Sequence, residues 1–324
     1  MHATIQMMMV SLLLVGCGDT KEKTPVPEYP AELRTKVPPV TIPAFDGGQA
    51  FAYLTRQTSF GPRNPNSAGH SACLDFLSAE LRKHADNVRL QQFNESGYDG
   101  EKLVLTNVIA SFKPDVKDRV LLCAHWDTRP RAEHDENKGR RNEPILGAND
   151  GASGVAVLLQ IASMLKNQPP SIGVDIVLFD GEDYGLEGDD AKYLLGSRHF
   201  ARNKILDYVP RFGILLDMIG DRFLEIPKEQ HSLRYAPDVL ELVWGKAREL
   251  GYLQFVDEVG ELVTDDHLPL NEVGIKTIDL IDFNYPDPTN RFWHSHQDIP
   301  ENCSTESLEA VGTVLTHVIY SQQP

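Results

Sequence analysis

Short, unbroken hydrophobic runs in this chain end again and again on acidic or histidine-bearing loops. Four such junctions are LLCAHWD (121–127), ILGANDGASG (145–154), VDIVLFDGED (174–183) and FGILLDMIGD (212–221), and a further cluster, RFWHSHQD (291–298), lies downstream. The periodicity predicts strands at 88–93, 103–112, 120–124, 174–179, 212–218 and 275–281. It predicts helices at 67–84, 151–166, 192–205, 237–250 and 305–320. After the first hairpin-like strands, strand and helix alternate, the pattern of a mostly parallel sheet covered by helices on both faces. The expected fold is therefore α/β: a single three-layer α/β/α domain with a mixed, mostly parallel central sheet, spanning 44–324. In such sheets, sites form at the carboxyl ends of the strands, where the acidic clusters fall.

The remaining residues read as an export and tether region. Residues 7–16 are largely apolar, too short to span a bilayer, and run through LLVG into Cys17. That ending resembles a bacterial lipobox, so 1–17 is expected to be a lipoprotein-type signal peptide with lipidation at Cys17. No Lys or Arg precedes it, and a plain secretory signal is the alternative. The Pro-rich stretch 18–43 reads as an extended tether. The expected location is the bacterial cell envelope, with membrane contact only through the lipid at Cys17. Three cysteines remain after Cys17 (Cys73, Cys123 and Cys303), an odd number with no disulfide framework. A net charge of −16, from 31 basic and 47 acidic residues, excludes nucleic acid as a partner. The loop 129–144 reads as a solvated, charged rim.

The chemistry concentrates in a few residues. Asp180, Glu182 and Asp183 close a buried strand, and would repel one another if all were ionised without compensation. A divalent cation resolves this, as does a solvated acidic loop. Asp150 sits before a helix start, as a metal ligand or an N-cap would. His125 and Asp127 form an H-x-D pair in which the carboxylate can orient the ring. Asp217 follows an apolar run, so a cation or hydrogen-bond donors must compensate its burial. His294 and His296 are imidazoles available to a metal or simply loop residues. Oxygen ligands with one imidazole suit zinc, with manganese or cobalt as alternatives.

Taken in order, H-x-D, GANDGASG, DGED, LLDMIGD and the final WH resemble the zinc-dependent exopeptidases of family M28. Within that family, LLGSRHFA (194–201), LLDMIGD and TDDHLPL (264–270), together with Trp293-His294, are similar to the glutaminyl cyclases. That resemblance implies conversion of N-terminal glutamine to pyroglutamate, with peptide or protein N-termini as substrates, by a monomeric enzyme holding one zinc ion. It implies Asp150, Asp183 and His294 as metal ligands, Glu182 as proton shuttle, Asp217 and Asp265 as catalytic support, and Trp293 as a pocket wall. It also implies a cis peptide bond after Asp150. Departures from the animal cyclases are Asp183 in place of Glu, Asp279 in place of a His, and no Trp shortly after the acidic pair.

Two other readings compete. A di-zinc aminopeptidase of the same family would use His125 and Asp217 for a second metal, with Glu182 activating a water. A catalytically silent, lipid-tethered binding protein would have no use for Glu182.

Overall fold

The apolar runs become strands buried on both sides, and their alternate residues feed two separate cores. The computed structural model describes residues 41–186, 188–204 and 208–323. The signal peptide, Cys17 and the tether up to residue 40 lie outside the described residues. The strands are β1 (Asn87–Ser96), β2 (Lys102–Phe112), β3 (Arg119–His125), β4 (Gly173–Phe179), β5 (Gly213–Asp217), β6 (Ile226–Lys228), β7 (Phe255–Val259) and β8 (Thr277–Ile281). The helices are α1 (Gly47–Thr58), α2 (Ala68–His84), α3 (Ser153–Asn167), α4 (Leu195–Arg202), α5 (Gln230–Tyr235), α6 (Pro237–Leu250), α7 (His267–Glu272) and α8 (Thr305–Tyr320).

Six strands form one sheet in the order β1-β2-β4-β3-β5-β8, and β6 and β7 pair separately. β2 pairs antiparallel with both β1 and β4, whereas β4, β3, β5 and β8 are mutually parallel. Side chains alternate across a strand with period two. On one face Leu122, Ile176, Ile214 and Leu280 join the large core beneath α1, α2, α3, α6 and α8. On the other, Leu121, Cys123, Val177 and Leu215 pack against Phe200 of α4 and Leu270 of α7. The three-layer α/β/α arrangement expected from the sequence is the one observed. α3 is buried on nearly every side because it lies between the sheet and α1, α2 and α8.

The parallel register sets the carboxyl ends of four strands side by side. His125 pairs with Phe179, Cys123 with Leu215, and Asp217 with Ile281. Strand order reverses around β3, the kind of switch point that opens a crevice at the strand ends.

The elements depart from expectation at a few places. α1 is additional; its N-cap Asp46 accepts a hydrogen bond from Gln49 N. α5, α7, β6 and β7 are also additional, each too short to show a period. Leu194 has φ +59, which separates α4 from the preceding turn and shortens the helix expected at 192–205. Cys73, Cys123 and Cys303 are buried and unpaired, so the described residues contain no disulfide.

Candidate metal centre

Asp150 reaches the strand ends on a loop fixed by an acid far away in sequence. Asp298 Oδ1 accepts from Asn149 N at 2.7 Å and from Tyr285 Oη at 3.1 Å, and its Oδ2 accepts from Asp150 N at 3.2 Å. Gly151 then turns with φ +98, and a Cβ there would lie 2.3 Å from the Asp127 carbonyl oxygen. Only glycine fits both constraints. The peptide after Asp150 is trans, contrary to the expectation, since Tyr285–Pro286 is the only cis bond among the described residues. The left-handed φ of Gly151 makes the turn instead. Asp150 is not a helix cap either: α3 begins at Ser153, and its N-cap Ala152 has no side-chain bond.

The acidic turn after β4 is held by Asp127, whose Oδ1 accepts from Glu182 N at 3.0 Å and whose Oδ2 accepts from Asp183 N at 3.3 Å. Asp127 is completely buried, and this backbone clamp gives the H-x-D pair its second half. Asp180 points elsewhere. It meets His70 Nε2 at 2.9 Å and Thr106 N at 2.6 Å, so imidazole and backbone, rather than a metal, balance this member of the cluster.

The loop at 129–144 is exposed over 136–140, as its charge led us to expect, but its first part is not a solvated rim. Arg129 is 1% exposed, and its Nη1 donates to Asp183 Oδ1 at 2.7 Å while Nη2 donates to Tyr193 Oη at 2.8 Å. Asp135, in the same loop, accepts from His296 at 2.7 Å and so takes that histidine away from the centre. Sequence reasoning missed Arg129 because a buried arginine looks like a surface one until its partner is known.

His294 enters with φ +50, a conformation that costs a non-glycine residue about 1–3 kcal/mol and concentrates at functional sites. Its Nε2 lies 3.3 Å from Asp183 Oδ1 and 3.6 Å from Asp150 Oδ2. Asp150, Asp183 and His294 each place a ligand atom within 4.8 Å of the other two. Burial lowers the His294 pKa, which favours the neutral, ligating imidazole. Burial and the charge of Asp183 push the Asp150 carboxyl up to about 7. Asp183 is driven the other way: burial opposes its charge, but His294 and Arg129 more than compensate. Its Oδ2 is buried without a hydrogen-bond partner. Two crowded carboxylates, a neutral imidazole and an orphaned oxygen fit a divalent cation, and the oxygen and nitrogen donors fit zinc.

A second set adjoins the first. His125 Nε2 lies 3.1 Å from Asp150 Oδ1 and 3.1 Å from Asp217 Oδ1, while Nδ1 lies 3.6 Å from Asp127 and 4.0 Å from Glu182 Oε2. Burial lowers the His125 pKa, but Asp217, Asp127 and Asp150 together raise it well above the ordinary range.

Glu182, Asp217 and Asp265 share with the triad a cavity of about 90 Å³ walled by Met218, Ile281, Phe283 and Trp293. Burial, reinforced by Asp183 and Asp265 against the opposing charge of His125, raises the Glu182 carboxyl well above the usual range. Trp293 stacks on His294 at 3.7 Å between ring centroids and meets Phe283 edge-on at 5.0 Å. A neighbouring chamber of about 270 Å³ shares Tyr193, Thr264, Trp293 and His294 and leads outward past Glu133 and Asp190. The arrangement can hold a cation and move a proton beside it. The structure thus gathers Asp150, Glu182, Asp183, Asp217, Asp265, Trp293 and His294 around one cavity, with His125 beside them, and leaves Asp180 and His296 outside it.

The chain matches the model of peptidase family M28 over residues 107–319. It is similar to the crystal structure of Bacteroides thetaiotaomicron glutaminyl cyclase bound to N-acetylhistamine, at 41% identity and a TM-score of 0.84, covering 87% of this chain and 100% of that one. A Zn-dependent exopeptidase from Parabacteroides distasonis is similar at 40% identity and a TM-score of 0.84, over 87% of this chain and 100% of that one. Bovine glutaminyl-peptide cyclotransferase is 24% identical over 65% of this chain, and the match spans 64% of the bovine protein's length. The chain belongs to peptidase family M28.

Proposed function

We propose that this protein is a zinc-dependent glutaminyl-peptide cyclotransferase, converting N-terminal glutamine of peptides or proteins to pyroglutamate with release of ammonia. The observation that carries the reading is the small cavity in which Glu182, Asp217 and Asp265 lie beside the Asp150–Asp183–His294 triad. Hydrolysis of a peptide bond requires one carboxylate to activate water; this cavity offers three beside the triad. The similarity to a bacterial glutaminyl cyclase at 41% identity over all of that chain supports it.

Asp150, Asp183 and His294 would hold one zinc ion, which would supply Lewis-acid polarisation of the glutamine side-chain carbonyl. Glu182 takes a proton from the substrate α-amine as the amine nitrogen bonds to the carbonyl carbon of the side-chain amide. It returns that proton to the amide nitrogen as the carbon–nitrogen bond breaks and ammonia leaves. The raised pKa of Glu182 suits a group that must both accept and release a proton near neutral pH. Asp217 accepts a hydrogen bond from the departing amide, and Asp265 supports the same network. Trp293, braced by His294 and Phe283, packs against the aliphatic part of the side chain.

The His125–Asp150–Asp217 set favours a second reading, a di-zinc aminopeptidase in which Glu182 activates water. Ammonia release from a glutamine-initiated peptide, without liberation of a free amino acid, separates the two. The proposal includes a monomer anchored in the bacterial envelope, supported by the LLVG-Cys17 motif. Lipid labelling that is lost on Cys17→Ser tests the anchor.

A further inference from the structure

Behind the catalytic cavity, Asp265 is backed by buried groups that the proposed mechanism does not use. β8 turns Ile278 and Leu280 into the large core, so Asp279 points to the opposite face, toward α7. Asp279 is completely buried in mid-strand, and neither carboxyl oxygen has a hydrogen-bond partner among the described residues. Asp265, at the cavity wall, is 3% exposed; its Oδ1 accepts from Asp266 N at 2.5 Å, and its Oδ2 is unpartnered. Asp265, His267 and Asp279 each bring one atom within 4.8 Å of the other two.

Two buried carboxyls this close cannot both be ionised without a cation. His267 does not supply that charge. Burial lowers its pKa despite the nearby acid, and its Nε2 faces Glu229 Oε2 at 3.4 Å. Glu229 is already saturated, accepting from His231 N, Ser232 N, Ser232 Oγ and Val263 N. Ser232 Oγ in turn accepts from Asp279 N at 2.9 Å, which fixes the strand but leaves the carboxyl untouched. The nearest imidazole nitrogen, His267 Nδ1, is 3.8 Å from Asp279 Oδ2.

We propose that Asp279 is a positioning residue: it shares one proton with Asp265 and, by donating it to Asp265 Oδ2, holds Asp265 in place as the acceptor at the cavity wall. Burial raises both the Asp279 and the Asp265 carboxyls well above the usual range, in keeping with one proton held between them. The role rests on the cyclotransferase reading only through the function given to Asp265.

The test uses the full zinc-loaded protein with Asp279→Asn and Asp279→Leu. Asparagine can still donate to Asp265; leucine cannot. Infrared difference spectra at neutral pH should show a protonated-carboxyl C=O band in the wild type that Asp279→Asn removes, with zinc content unchanged. Asp279→Leu should lower kcat roughly ten- to hundredfold with little change in KM, and Asp279→Asn should recover most of that loss. An unaltered infrared band overturns the shared proton. A second metal ion held by the wild type and lost in Asp279→Asn replaces the proton with a cation and also overturns it. Equal inactivity of the two variants overturns the positioning role. The infrared measurement needs no turnover, and kcat is read on whichever activity the wild type has, so absence of ammonia release would defeat the functional reading alone.

Discussion

Arg129 Nη1 lies 2.7 Å from Asp183 Oδ1 and 3.1 Å from the Asp183 carbonyl oxygen, gripping one residue by both side chain and backbone. The same guanidinium donates from Nε and Nη2 to Glu133, at 2.8 Å each. A proposed metal ligand is thereby held in one orientation with its second oxygen free. Arg129→Met should weaken zinc retention roughly ten- to hundredfold, as loss of a ligand's supporting partner does. Arg129→Lys should not restore it, because a single ammonium cannot span Asp183, Glu133 and Tyr193. Chelator competition on the purified variants measures this.

Glu182 would carry the proton in either of the two proposed chemistries, yet it is not among the proposed ligands. Glu182→Gln should keep its zinc and lose at least about a hundredfold in kcat. Zinc analysis paired with steady-state rates checks both halves; full activity would remove Glu182 from the mechanism.

Asp298 clamps the turn that presents Asp150. Asp298→Ala leaves Asn149 N and Asp150 N buried without an acceptor, each costing about 1–3 kcal/mol. Thermal unfolding should report a loss of roughly 2–4 kcal/mol, and zinc content should fall with it. A variant as stable and as zinc-rich as the wild type would show that the turn holds itself.

These dependencies explain what the sequence could and could not reveal. Asp183 and Asp217 were legible because each ends or follows a hydrophobic run and parallel topology gathers such ends, whereas Asp150 and His294 were legible only through the ordered motifs that resemble family M28. Asp180 was misjudged beside Asp183 because only the tertiary position of His70 shows where its carboxylate turns. The clamp from Asp298 to residues 149 and 150 spans nearly half the chain and leaves no local mark. α1 was hidden by a weak apolar stripe, with Ala50 and Leu54 as its buried hydrophobics after two opening glycines. α7 was hidden by its brevity and by Pro269.

Glu229 links acid stability to the support of the catalytic cavity. Burial would raise its pKa, but the adjacent His267 imidazole and hydrogen bonds from His231 N and Ser232 N more than reverse this and lower it to about 2. A carboxyl lowered on folding stabilises the protein above its unfolded pKa, and that stabilisation is lost as pH falls through the folded value. From the ordinary 4.5 to about 2, the shift corresponds to roughly 3 kcal/mol. The difference in unfolding free energy between the wild type and Glu229→Gln should therefore shrink as pH falls from 4.5 towards 2. A pH-independent difference would contradict the linkage.

The most direct measurement is product analysis on a glutamine-initiated peptide incubated with the zinc-loaded enzyme. A cyclotransferase releases one ammonia per peptide, shortens the peptide mass by that ammonia alone, and yields no free glutamine. Free glutamine with a peptide one residue shorter, and no ammonia, would contradict the cyclotransferase and make the protein an aminopeptidase.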